Sequence, residues 1–266
     1  MRKHRNYVIG FALALLSHCA LADTNNNNVK LAEDFDFAND LKTANSYELL
    51  YMQDYTTNEI TRLQTSFIVP PEQPDVRSGV IFLWPGLESR PGAKNFEPID
   101  NGVLQPVLTW GYSCAPTPQQ QPGFSSWWIS GQYVNTTDSD PDHSGCYSGD
   151  LMTVKAGDLL FMDIRLDQSN GVWTQTITNE STNEEVTFSI NMEHQAQVTA
   201  DFHIELYPPA IFNTPLVFLD TTITFANPTD VDCHYTGTSL TVSPPVLDST
   251  KMNCTFDSII LQQHYN

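Results

Sequence analysis

From Tyr47 to the C-terminus, apolar and polar residues alternate with a period of two, or run apolar for a few positions, in short segments. The clearest are TRLQTSFIV, GVIFLW, GVLQPVLTW, SWWISGQYV, DLLFMDIRL, GVWTQTITN, EEVTFSIN, ADFHIELY, PLVFLDTTITF and DSIILQQH. Between them stand PPEQPD, ESRPG, KAGD, DQSNG and STNEE, rich in the residues that favour turns. No stretch sustains a helical period with caps. Ten or more short strands over about 220 residues predict an all-β chain, most simply a two-sheet antiparallel β-sandwich in one domain over 46–266. No internal repeat interrupts that reading.

The first residues follow another pattern. Arg2, Lys3 and Arg5 precede the apolar run YVIGFALALL, and Ala20-Leu21-Ala22 has the small-x-small form of a signal-peptidase site. Residues 1–22 are therefore expected to be a signal peptide, and the mature protein to be secreted, extracellular or periplasmic. His18 directly before Cys19 fits a lipoprotein site poorly. Residues 23–45, opening with DTNNNN, read as a flexible N-terminal segment. No later apolar run approaches the ~20 residues that span a bilayer as a helix.

Charge narrows the partners. Twelve Lys and Arg stand against 31 Asp and Glu, a net charge of −19; losing the leader's three basic residues takes it to −22. A polyanion is repelled by nucleic acid and by anionic membrane surfaces, so neither is expected as a partner, and a monomer is expected. A surface so rich in carboxylates also suits acidic surroundings, where protonation relieves self-repulsion. Outside the leader the cysteines are Cys114, Cys146, Cys233 and Cys254, without a C-x-x-C pair. In an exported chain they favour disulfides; of three possible connectivities the pairs nearest in sequence, Cys114–Cys146 and Cys233–Cys254, are expected.

Two familiar routes to hydrolysis are missing. The seven histidines form no H-x-x-x-H or H-x-H set, so no metal and no cofactor is expected, and no G-x-S-x-G elbow occurs. Two strands carry chemistry instead. In ADFHIELY the alternation puts Asp201, His203, Glu205 and Tyr207 on one face, opposite Phe202, Ile204 and Leu206. In GVLQPVLTWG, Val103, Gln105, Val107 and Thr109 share a face opposite Leu104, Pro106, Leu108 and Trp110, so Gln105 is an amide among apolar neighbours and needs hydrogen-bond partners. WPGLE aligns Trp84 with Glu88, and SWWISGQY adds Trp127, Trp128 and Tyr133. Such aromatic and carboxylate residues could line a groove for a polypeptide or a polysaccharide.

These segments, in this order from about residue 80 to 226, resemble the secreted glutamic peptidases, or eqolisins, a family with a concanavalin A-like β-sandwich. WPGLE resembles its W-x-G-x-D segment, GVLQPVLTWG its L-Q strand and SSWWISGQY its aromatic strand. MTVKAGDLLFMDI resembles the I-x-x-G-D-x-I strand, WTQTITNESTNEEVTFSI the following hairpin, and ADFHIE the A-E-F/W-I-x-E strand. The resemblance implies a concanavalin A-like jelly roll and an acid endopeptidase. In that family the glutamine and the first glutamate form a dyad of oxyanion stabiliser and general base. Carried over, Gln105 and Asp201 are the expected catalytic residues; Trp84, Glu88, Trp127, Trp128 and Glu205 are expected to bind substrate. Position 201 departs from the family, Asp standing where Glu is expected, and Ile129 replaces an acidic residue. A lost methylene matters, because a displacement of about 1 Å can cost ~10²-fold in rate. The alternative reading is therefore a non-catalytic, lectin-like module that binds peptide or carbohydrate in the same groove. A polysaccharide lyase is disfavoured by the scarcity of basic residues.

Overall fold

The computed structural model describes residues 45–53, 58–114, 116, 120–137, 139–229, 233, 235 and 240–262. The expected signal peptide, Cys19 and nearly all of the expected flexible segment lie outside them. Fourteen strands carry the described chain. They are β1 (Asn45–Gln53), β2 (Ile60–Ile68), β3 (Val80–Glu88), β4 (Gly102–Gly111), β5 (Gly123–Asn135), β6 (Gly145–Val154) and β7 (Leu159–Asp167), followed by β8 (Val172–Asn179), β9 (Glu184–Asn191), β10 (Thr199–Tyr207), β11 (Leu216–Phe225), β12 (Leu240–Val242), β13 (Val246–Leu247) and β14 (Asn253–Leu261). No α-helix occurs among the described residues.

Every strand pair is antiparallel, and the strands form two sheets. One has the order β1-β10-β3-β4-β5-β6; the other runs β12-β14-β11-β2-β7-β8-β9, with β13 paired to β14 at its side. Neighbours distant in sequence, such as β10 beside β3, make this a two-sheet antiparallel sandwich with crossovers rather than a meander. Period-two alternation explains the layering. Leu83, Leu87, Leu104, Leu108, Ile129, Phe202 and Ile204 point inward from the first sheet; Phe67, Met162, Ile164, Trp173, Phe218, Ile223 and Phe256 meet them from the second, in one buried cluster. At roughly 1.5–3 kcal/mol for each large apolar side chain removed from water, this layer is the main stabilising term.

The sheets converge where edge strand β6 approaches β9. A Cβ on Gly149 would stand 2.1 Å from the Thr187 carbonyl oxygen, so only glycine allows that approach. Both expected disulfides are present. Cys114–Cys146 ties the chain after β4 to the start of β6, and Cys233–Cys254 ties the chain before β12 to β14.

Candidate functional site

With one face of the six-stranded sheet committed to the core, its opposite face carries the polar residues of the central strands. The register arranges them in cross-strand rows. Asp201 pairs with Gly86. The β3–β4 pairs Leu87–Leu104 and Leu83–Leu108 set Gly86 opposite Gln105, which in turn pairs with Gln132. The next row is His203, Trp84, Val107 and Ser130, and beyond it come Glu205, Phe82, Thr109 and Trp128. On the other side of the Asp201 row stand Thr199 and Glu88.

Asp201 and Gln105 thus share a face, one strand apart, about 10 Å between backbones at ordinary strand spacing. The residue between them has no side chain. The Trp84 indole leans over that gap: a Cβ on Gly86 would lie 3.0 Å from Trp84 Cζ3 and 3.1 Å from the Leu104 carbonyl oxygen. Asp201 is 2% exposed and Gln105 8%. Gln105 Oε1 is buried and has no hydrogen-bond partner among the described residues. A buried, unmatched amide oxygen costs on the order of 1–3 kcal/mol, and this one lies on the same face as Asp201.

Gln132 is fully engaged by contrast. Its amide nitrogen donates to Ser130 Oγ at 3.0 Å, and its side-chain oxygen accepts from Ser113 Oγ at 3.2 Å. Its backbone exchanges hydrogen bonds with the Gln175 amide from the second sheet, at 3.2 and 2.7 Å. Ser113 is held in turn by Gln121, which accepts from its N–H at 2.9 Å and donates to its carbonyl at 3.0 Å. The chain leaving β4 is therefore anchored beside the Gln105 end of the row.

The titratable groups that follow Asp201 along β10 are governed first by burial. Trp84 stacks on the His203 imidazole, ring centroids 4.1 Å apart and 13° from parallel. Burial, with the positive charge of Arg90, pushes His203 down to about 3, so the ring is neutral at any ordinary pH. Trp84 Nε1–H donates to Glu205 Oε2 at 3.2 Å, and the Tyr207 hydroxyl donates to Glu205 Oε1 at 2.5 Å. Burial still raises the Glu205 carboxyl, because those two donors offset only part of the desolvation. The Tyr207 phenol is raised by its own burial and by the adjacent Glu205. Glu88, on the Asp201 side, forms an ion pair with Arg90, Nη2 to Oε2 2.8 Å.

Trp127 departs from the expectation. It points into the core, is 0% exposed, packs against Trp110 and Phe212, and donates its indole N–H to the Pro71 carbonyl at 3.1 Å. Tyr133 is in the same core cluster. Parity is the reason: Trp127, Ile129 and Tyr133 alternate onto the inward side of β5. Trp128 is on the outward side but fully covered, its N–H donating to the Gly111 carbonyl at 3.0 Å. Neither tryptophan lines an open groove. The residues brought together are Asp201, Gln105, Trp84, Glu88 and Glu205. Arg90 belongs to the site but stands in the turn segment ESRPG, where strand alternation does not mark it; its rarity as a cation in so acidic a chain is the one signal the sequence carries.

The arrangement is an all-β sandwich with a carboxylate and an amide on one sheet face, on either side of a glycine and beside a tryptophan. The chain matches no family model, and no curated protein matches it. Among solved structures it is similar to scytalido-glutamic peptidase bound to a peptide-based transition-state analogue, at 16% identity and TM-score 0.49, covering 80% of this chain and 99% of that one. It is also similar to SCP-B, a member of the eqolisin family of peptidases in complex with the tripeptide Ala-Ile-His, at 14% identity and TM-score 0.47, covering 83% and 100%. The winged bean acidic lectin complexed with methyl-α-D-galactose matches at 9% identity and TM-score 0.32, covering 82% and 77%.

Proposed function

We propose that the protein is an exported acid endopeptidase of glutamic-peptidase type. The observation that carries this reading is the Asp201–Gly86–Gln105 row, with Gln105 Oε1 left unmatched in a buried position. Water held between the two side chains attacks the scissile carbonyl carbon, and its proton passes to the Asp201 carboxylate. The carbonyl oxygen becomes an oxyanion and accepts a hydrogen bond from the Gln105 amide N–H. Collapse breaks the C–N bond as Asp201 returns the proton to the leaving amine. Gly86 lets the Trp84 ring pack close against the row, so that Trp84 borders the place where the tetrahedral carbon forms.

The test is a peptide-library digest by the purified mature protein across pH 2–7, beside Gln105→Ala and Asp201→Glu. Cleavage at acid pH is expected, with Gln105→Ala losing on the order of 10²–10³-fold for one oxyanion donor. Asp201→Glu restores the missing methylene and should raise the rate. If no peptide is cut at any pH, while the intact protein binds a peptide or oligosaccharide and Trp84→Ala abolishes that binding, the face is a recognition surface and the peptidase reading falls.

A further inference from the structure

Asp201 and Glu88 are diagonal neighbours on one sheet face, since Asp201 pairs with Gly86 and Thr199 with Glu88. Both are buried. Two carboxylates in one dry site cannot both remain ionised without a counter-charge, and burial alone would drive either to its neutral form. Arg90 is the cation placed there. Its Nη2 lies 2.8 Å from Glu88 Oε2, its Nε donates to Thr199 Oγ1 at 3.4 Å, and its charge is felt at His203. Thr199 and His203 stand two residues either side of Asp201 on the same face, about 13 Å apart on an extended strand. A guanidinium that touches the first and acts on the second is within electrostatic reach of the residue between them, Asp201. The side chain of Arg90 is itself only 13% exposed, so its charge is weakly screened.

Among the described residues, the other groups on this face of β10, β3, β4 and β5 beside Asp201 carry no positive charge. His203 is neutral, and Glu205, one further outward-facing position along β10, is occupied by Trp84 and Tyr207. From β4 and β5 come the uncharged Gln105 and Gln132. On β1, Tyr51 and Glu48 are the register partners of Asp201 and His203.

We propose that Arg90 is a positioning residue that keeps Asp201 in its carboxylate form under acid conditions, with Glu88 fixing the guanidinium in place. Its consequence for hydrolysis rests on the peptidase reading; the ionisation of Asp201 itself does not. Arg90 therefore sets how far into acid the general base remains competent, and its loss moves the acid limb of kcat/KM toward neutral pH.

The test is a carbon-detected NMR titration of the Asp201 carboxyl in the intact mature protein, assigned by comparison with Asp201→Asn. The wild-type midpoint should lie below the ordinary aspartate value of about 3.9. Arg90→Gln should raise it by about one pH unit or more, as loss of an adjacent cation does, and Arg90→Lys, which keeps the charge, should hold it below the ordinary value. A wild-type midpoint at or above about 3.9, or an Arg90→Gln midpoint unchanged from wild type, overturns the proposal. If Arg90→Gln fails to fold, the wild-type and Arg90→Lys midpoints decide. A shifted titration in a protein that cuts no peptide would remove the peptidase reading and leave the counter-ion role standing.

Discussion

Gly86 shows how much can rest on one absent side chain. It lies between Asp201 and Gln105, and a methyl group there would press on the Trp84 ring and on the Leu104 carbonyl, which is backbone and cannot swing aside. Gly86→Ala is expected to cost about 1–3 kcal/mol, read as a lowered urea midpoint at unchanged slope, and to reduce activity more than stability. An unchanged midpoint would show that Trp84 moves freely. His143 offers a second test. Its Nδ1 is 2.7 Å from Asp140 Oδ2 and its Nε2 is 2.7 Å from the Asn191 carbonyl oxygen, so both nitrogens must carry protons to donate to both acceptors. Burial opposes the charge, but the Asn191 carbonyl, Asp140 and Glu193 outweigh it and raise His143. The hydrogen bond from His143 is the first cause that lowers Asp140. A raised histidine contributes stability that is full below its unfolded value of about 6.5 and is lost as pH rises through its folded value. His143→Gln should therefore be less stable than wild type at pH 5, with the gap closing above neutrality in denaturant midpoints; a pH-independent gap would contradict the assignment. The sign is reversed for His203. The unfolded chain takes up its proton near 6.5 while the folded ring resists to about 3, so that site loses stability as pH falls between them.

At the scale of elements, the ten segments picked out by alternation correspond to β2, β3, β4, β5, β7, β8, β9, β10, β11 and β14. β1, β6, β12 and β13 were not legible, for different reasons. β12 and β13 are three and two residues long, too short for a period to show. β1, NSYELLYMQ, overlaps the segment read as flexible only at Asn45, and its apolar and polar residues do not alternate. β6, GCYSGDLMTV, lies at a sheet edge with a burial pattern that does not alternate, and it is interrupted opposite the shift between Ser130 and Gln132. Its glycine carries the information that alternation lacks. Gly149→Ala would drive a methyl group into the Thr187 carbonyl and separate β6 from β9. The expected result is a loss of about 1–3 kcal/mol with the Cys114–Cys146 bridge intact in non-reducing peptide maps. Wild-type stability in that variant would mean the two edges do not depend on each other.

For the whole molecule, charge and layering dominate. A net charge of −19 over 266 residues, with 31 acidic side chains against 12 basic ones, makes the folded state self-repelling at neutral pH. Added sodium chloride should therefore raise the melting temperature at pH 7 and have a smaller effect at pH 4, where carboxylates are partly protonated. Equal salt effects at the two pH values would show that specific pairs such as Arg62–Asp163, with Nη2 to Oδ2 at 2.6 Å, outweigh the general repulsion. What the sequence by itself determined was the all-β class, ten of the fourteen strands and the face on which each of their residues lies, because alternation is a local property; the two disulfide pairs it only favoured, as those nearest in sequence. What only the tertiary structure decided was which faces meet. The order of strands in the sheet put Gly86 between Asp201 and Gln105, turned Trp127 into the core, covered Trp128, and brought Arg90 back over Thr199. Each of these depends on pairing between residues far apart in the chain, where neither period nor composition carries a signal.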